Sequence, residues 1–133
     1  MNQQPLILLV DDEQDLREVF GTKLRSAGYR IEEAENGVIG LEKARALQPD
    51  LILMDVKMPG MSGPETILKM KEDPQIKHLK FVFLTSLGDP DPEGQELDEK
   101  YAEEFGAAAY IHKTDNLEII SNKVREVLEG ATK

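Results

Sequence analysis

Leu6-Ile7-Leu8-Leu9-Val10 runs apolar for five residues and stops at Asp11-Asp12. The pattern recurs. Leu51-Ile52-Leu53-Met54 stops at Asp55, Phe81-Val82-Phe83-Leu84 stops at Thr85-Ser86, and Ala108-Ala109-Tyr110-Ile111-His112 stops at Lys113. Short apolar runs separated by helical patterns read as strands of a parallel sheet buried on both faces. The carboxyl ends of such strands form the ligand-facing edge. Three carboxylates, a hydroxyl and an amine are therefore expected on one rim. That set suits holding a divalent cation and receiving a phosphoryl group.

The segments between the runs carry helical spacing. Leu16, Val19, Phe20, Leu24 and Ala27 predict a helix ending at Gly28. Arg30 to Ala34 alternates weakly and predicts an edge-side strand. Asn36-Gly37 caps a second helix with Val38, Leu41, Ala44 and Leu47 inward, stopped by Pro49. The third strand is predicted over Asp50 to Met54. Ser62 or Gly63 then opens a helix through Ile67, Leu68 and Met70, and the fourth strand follows over Lys80 to Leu84. Asp91 as N-cap and Pro92 at the first helical position start another helix, with Leu97, Tyr101 and Phe105 as its stripe and Gly106 closing it. The fifth strand covers Ala108 to His112. A last helix runs from about Asn116 to Gly130, with Leu117, Ile120, Val124, Val127 and Leu128 inward. Five strands alternating with five helices imply right-handed crossovers and an α/β, doubly wound sheet. At 133 residues, nothing is left over for a second domain, so residues 1–133 are expected to be one domain.

Composition excludes several classes. Hydrophobic residues at 40% and charged residues at 32% are those of a globular chain, not a disordered one. With no cysteine, disulfides and thiolate metal sites are ruled out. A net charge of −10 argues against nucleic acid as a direct partner. Glu93 to Glu104 concentrates that acidity on a run expected to be a solvated helix face. Met1 to Pro5 lacks the basic region and apolar core of a signal peptide, and no apolar run approaches spanning length. The expectation is a cytoplasmic protein without membrane insertion.

The rim residues carry the chemistry. Asp11, Asp12 and Asp55 would repel one another unless a positive charge sat among them, and hard oxygen ligands suit Mg²⁺. Asp55 is the candidate nucleophile, since a carboxylate attacking phosphorus gives an acyl phosphate. Lys113 would neutralise one phosphoryl oxygen and Thr85 would donate to another.

Together these residues resemble the receiver domain of two-component response regulators, of the single-domain chemotaxis and sporulation kind. The similarity rests on Asp11-Asp12, on Asp55-Val56-Lys57-Met58-Pro59-Gly60-Met61-Ser62-Gly63, on Thr85-Ser86, and on Tyr110-Ile111-His112-Lys113. It covers nearly the whole chain. The resemblance implies a flavodoxin-like sheet ordered 2-1-3-4-5. It also implies phosphorylation of Asp55 by a sensor histidine kinase or phosphotransfer protein, with an unknown downstream protein as output. By the same resemblance Asp11, Asp12, Asp55 and the Lys57 carbonyl hold Mg²⁺, Lys113 partners the phosphoryl group, and Thr85 and Tyr110 form the switch pair. Phosphorylation is then expected to reshape the face of the fourth and fifth predicted helices and the fifth strand.

The chain departs from that family in three places. Thr114 follows Lys113 where proline is usual; a cis bond there would cost about 2.5–4 kcal/mol without proline, so trans is expected. Thr85 to Lys113 is longer than usual, the extra length falling at Leu87 to Gly94, where a tolerated insertion is expected. By the same resemblance the positions of Lys57 and Leu87 line the path of the hydrolytic water, and a long cation at 57 then implies slow self-dephosphorylation. Two other functions compete. An aspartate-nucleophile phosphatase tends to place a second aspartate where this chain has Lys57, so an enzyme with turnover is disfavoured. A degenerate receiver acting as a phosphorylation-independent scaffold is disfavoured by the complete set of Asp11, Asp12, Asp55, Thr85 and Lys113. No Gly-rich phosphate loop is present to bind a nucleotide.

Overall fold

Alternation explains why the runs are apolar throughout. In the computed structural model, which describes residues 4–85 and 105–130, they pair as β1 (Leu6–Val10), β3 (Leu51–Asp55), β4 (Phe81–Thr85) and β5 (Ala109–His112), with β2 (Arg30–Ala34) at one edge. The sheet is parallel, in the order β2-β1-β3-β4-β5. Successive side chains leave on opposite faces. Leu8, Val10, Ile52, Met54, Phe81 and Phe83 go to one side, against Ala44, Ile67, Met70 and Ile76. Ile7, Leu9, Leu51, Leu53, Val82, Leu84 and Ile111 go to the other, against Phe20, Leu24, Ile120, Val124 and Val127. The edge strand β2 buries only Ile31 and Ala34, as its weaker alternation requires.

The described helices are α1 (Gln14–Ser26), α2 (Gly37–Leu47), α3 (Gly63–Lys71) and α4 (Leu117–Leu128). This is the flavodoxin-like, doubly wound arrangement, with four helices among the described residues where five were expected. The remaining helix, expected from Asp91 to Gly106, begins outside the described residues, as do the acidic run Glu93 to Glu104 and the extra length at Leu87 to Gly94. Gly106 itself has φ +87°, the left-handed conformation that glycine adopts most readily. No peptide bond among the described residues is cis, so Lys113 and Thr114 are joined in trans.

Several local expectations are corrected. β3 and β4 each lie one residue later than the spans Asp50 to Met54 and Lys80 to Leu84 expected for them, because main-chain pairing continues into the polar residues. Val56 N donates to Leu84 O at 3.0 Å and Lys113 N to Thr85 O at 2.7 Å. Asp55 and Thr85 are thus the last residues of their strands rather than the first of their loops. Val38 and Leu47, expected inward, are exposed. Helix α2 instead buries Gly37, Gly40 and Ala44, because it lies so close to β1 that a Cβ at Gly40 would stand 3.1 Å from Val10 Cγ2. In α1 the buried face is Phe20, Gly21 and Leu24, leaving Val19 and Ala27 exposed.

Ser62 caps α3 through a reciprocal pair: its hydroxyl accepts from Glu65 N at 3.2 Å, and Ser62 N donates to Glu65 Oε1 at 2.9 Å. That cap holds Gly63 against the end of β3, with Gly63 N donating to Val56 O at 2.9 Å. A Cβ on Gly63 would lie 2.1 Å from the Asp55 carbonyl oxygen, so one of two main-chain segments would have to move. Gly63→Ala is therefore expected to destabilise the protein by about 3 kcal/mol, the upper part of the usual overpacking range. A urea midpoint equal to that of the wild type would show that the contact can relax without cost.

Candidate functional site

The sheet sorts the rim residues by parity. Asp11 follows β1, its N–H donating to Ala34 O at 3.1 Å, and Asp55 ends β3 opposite Leu84. Lys113 follows β5. Asp11, Asp55 and Lys113 continue the alternation of Leu9, Leu53 and Ile111, so all three project toward the face covered by α1 and α4. Thr85 and Tyr110 follow the opposite parity, on the face of Phe83. Thr85 is buried and paired with His112 in the ladder. Tyr110 is half-buried and packs edge-on against the His112 ring, with centroids 5.2 Å apart.

Oxygen atoms of Asp11, Asp12 and Asp55 lie within 4.8 Å of one another, Asp12 being the exposed member. Lys113 Nζ stands 2.9 Å from Asp55 Oδ1, 3.0 Å from Asp11 Oδ2 and 3.3 Å from Glu13 Oε1. Asp11 Oδ1 accepts from Glu13 N at 2.9 Å. Beyond the ammonium charge, Asp11 Oδ2 and both Asp55 carboxylate oxygens are buried with no hydrogen-bond partner. Such atoms are rare and costly in protein interiors. Burial pushes the Asp55 carboxyl from 3.8 up to about 8, the charge of Asp11 adds to the shift, and Lys113 opposes it. Burial also raises Asp11, against the pull of the Glu13 N–H and of Lys113. For Lys113, burial alone would lower the pKa, but the Asp55 and Asp11 carboxylates outweigh it and hold the ammonium above the ordinary lysine range.

This donor set fits a divalent cation. It offers hard carboxylate oxygens converging from separate stretches of chain, among them Asp55 Oδ2, which is buried without a hydrogen-bond partner. The structure brings together Asp11, Asp12, Asp55 and Lys113. The side chain of Lys57 is exposed. Leu87 lies outside the described residues. Two residues not singled out from the sequence also belong to the rim. Glu13 reaches Lys113, and Arg17 donates to the Asp11 carbonyl at 2.7 Å while pairing with Glu33 at 3.0 Å. Glu13 is adjacent to the acidic pair but reads as an ordinary acid at a helix start. Arg17 carries no signal at all until α1 and β2 are placed side by side.

Known proteins agree with this geometry. The model of the response regulator receiver domain family matches residues 7–125. A probable cyclic di-GMP phosphodiesterase of Vibrio cholerae is 33% identical over 96% of this chain, which spans only 27% of that relative. Protein PilH of Pseudomonas aeruginosa is 29% identical, with 93% of this chain and 98% of PilH covered. The crystal structure of the Vibrio cholerae chemotaxis protein CheY4 superposes with a TM-score of 0.80 at 29% identity, covering 94% of this chain and 99% of that one. The chain belongs to the response regulator receiver domain family of two-component signalling, in its CheY-like form. Among the described residues, no helix is long and apolar enough to cross a membrane.

The raised Asp55 pKa sets a pH dependence. Without a divalent cation, the folded protein keeps a proton that the unfolded chain gives up near 3.8, so stability falls as pH rises from there toward about 8. In a chelating buffer, Asp55→Asn removes that loss. It is expected to be the more stable form at pH 8, by at least about 1.4 kcal/mol, with the gap closing toward pH 4. Urea unfolding at both pH values measures it. A variant less stable than wild type at pH 8 would show that the Lys113 pairing outweighs burial.

Proposed function

We propose that this domain accepts a phosphoryl group on Asp55 from a histidine kinase or phosphotransfer protein, in a Mg²⁺-dependent reaction, and thereby switches a protein–protein surface. The observation that carries the proposal is Asp55 itself: a buried carboxylate with one oxygen 2.9 Å from an ammonium, the other without a hydrogen-bond partner, and clustered with two more acids. Phosphoryl transfer needs chiefly positioning and charge neutralisation. Asp11, Asp12, Asp55 and the Lys57 carbonyl would hold Mg²⁺, which when bound supplies positive charge against the phosphoryl oxygens. An Asp55 oxygen bonds to phosphorus as the donor's P–N bond breaks and its imidazole leaves with the electron pair, while Lys113 pairs with a phosphoryl oxygen and the Thr85 hydroxyl donates to another. Tyr110, on the same face as Thr85, follows that hydroxyl and carries the change to the surface. The domain catalyses its own phosphorylation and dephosphorylation and no other reaction.

A small-molecule phosphodonor tests this directly. One phosphoryl group per chain is expected with Mg²⁺, and none with chelator or in Asp55→Asn, as read by intact mass. Continued turnover of the donor would indicate an enzyme, and no modification under any condition a binding scaffold. The exposed cation Lys57, two residues beyond Asp55, is proposed to shield the phosphoryl group from water. Phosphorylated Lys57→Ala is accordingly expected to decay faster than wild type, by roughly threefold for one unscreened charge near the leaving group. Slower decay in the variant counts against shielding.

A further inference from the structure

Of the three carboxylates around Lys113, two are accounted for by the site just described and one is not. Asp11 and Asp55 are fully buried, whereas the Glu13 side chain is 61% exposed. Glu13 occupies the N-cap position of α1, but its side chain caps nothing there. Among the described residues its carboxylate meets Lys113 alone, at 3.3 Å. It also lines a cavity of about 590 Å³, together with Asp15, Leu16, Val19, Phe20 and Lys113. The Lys113 side chain is 8% exposed, and Asp55 lies 2.9 Å behind the ammonium. Glu13 is therefore the solvent-exposed acid on the cation that, among the described residues, both buried acids share.

From this placement we infer that Glu13 is a specificity-determining residue for the phosphodonor, weighting the site against small dianionic donors. The inference rests on the proposed acceptance of a phosphoryl group at Asp55. An incoming phosphoryl group needs the Lys113 ammonium, and Glu13 competes for it. The donor must also approach past a unit of negative charge, whose cost grows in proportion to the donor's own charge. A donor with a positive nitrogen bonded to phosphorus, such as a protonated phosphoimidazole, offsets that cost. A free acyl phosphate does not. In either transfer an Asp55 oxygen bonds to phosphorus. With acetyl phosphate the P–O bond breaks and acetate leaves with the electron pair. With phosphoramidate the P–N bond breaks and the nitrogen, already protonated, leaves as ammonia.

The test compares wild type, Glu13→Gln and Glu13→Asp as full chains, with acetyl phosphate as the dianion and phosphoramidate as the monoanion near neutral pH. In Glu13→Gln at low ionic strength, labelling of Asp55 is expected to accelerate roughly tenfold with acetyl phosphate and roughly threefold with phosphoramidate. Both gains should shrink toward parity at about 0.5 M salt. Beryllofluoride binding, followed by nuclear magnetic resonance, is expected to tighten by roughly threefold in the same variant. Glu13→Asp keeps the charge and should keep the wild-type ratio of the two rates. Asp55 labelling with an unchanged ratio in Glu13→Gln would overturn the role of Glu13 and leave the proposed function standing. Equal changes in Gln and Asp would overturn it too, since geometry rather than charge would then be responsible. No labelling of Asp55 by either donor, in wild type or variant, would remove the proposed function and this inference together.

Discussion

The Lys113 ammonium is the constraint on which the rest of the rim depends. Two carboxylates are buried at the carboxyl edge of the sheet, and among the described residues the one cation in contact with both is 2.9 Å from one and 3.0 Å from the other. Water cannot solvate these acids, so their mutual repulsion is weakly screened. One lysine does not neutralise them, and burial still raises both carboxyls, Asp55 to about 8. The remaining imbalance is structural. It leaves buried oxygens without hydrogen bonds in a protein whose backbone around them is well tied, by Arg17 on the Asp11 carbonyl and by the ladder on either side of Asp55.

The parallel sheet makes that imbalance local. Because alternation sends Asp11, Asp55 and Lys113 to one face, the charges meet beneath α1 and α4, while Thr85 and Tyr110 stand on the other side of the same strands. Adjacent register connects the two sides: Asp55 pairs with Leu84, Thr85 follows Leu84, and Lys113 N bonds to Thr85 O at 2.7 Å. A change of charge at Asp55 therefore has a short covalent and hydrogen-bonded route to the Thr85 and Tyr110 face. Under the proposed function, that route is the physical content of the switch.

Much of this was legible in the residues, for identifiable reasons. Strands buried on both faces must be apolar throughout, so their ends announce themselves where the first carboxylate, hydroxyl or amine interrupts the run. The five strands were therefore placed to within a residue, and Asp11, Asp12, Asp55 and Lys113 were placed on one rim. What could not be read depended on closeness between elements. Helix α2 turns Gly37, Gly40 and Ala44 inward, with β1 leaving no room for a larger side chain at Gly40 and Thr66 none at Gly37, while hydrophobic periodicity points to Val38 and Leu47. Periodicity counts apolar residues and has no term for an interface made of absent side chains. Glu13 and Arg17 were missed for a related reason: each is an ordinary helix residue until the partner it touches is brought alongside by another strand.

Burying unpaired charge costs stability, and a fold that retains it is held short of the stability its core would allow. Among the described residues the apolar layers above and below the sheet are buried, and the unpartnered acid oxygens lie at one edge of it. A ligand that supplies positive charge to the acids stabilises the folded form by its binding energy alone, with no rearrangement of the core. A phosphoryl group does the opposite, adding negative charge where Lys113 is already shared among three carboxylates. It can be accommodated only if the ammonium leaves some of its present partners. Glu13 is the partner most easily released, because it is exposed and water can take the place of the lysine. The buried acids have no such alternative, so redistribution of Lys113 from Glu13 toward the newly charged Asp55 is the lowest-cost first movement that this rim permits.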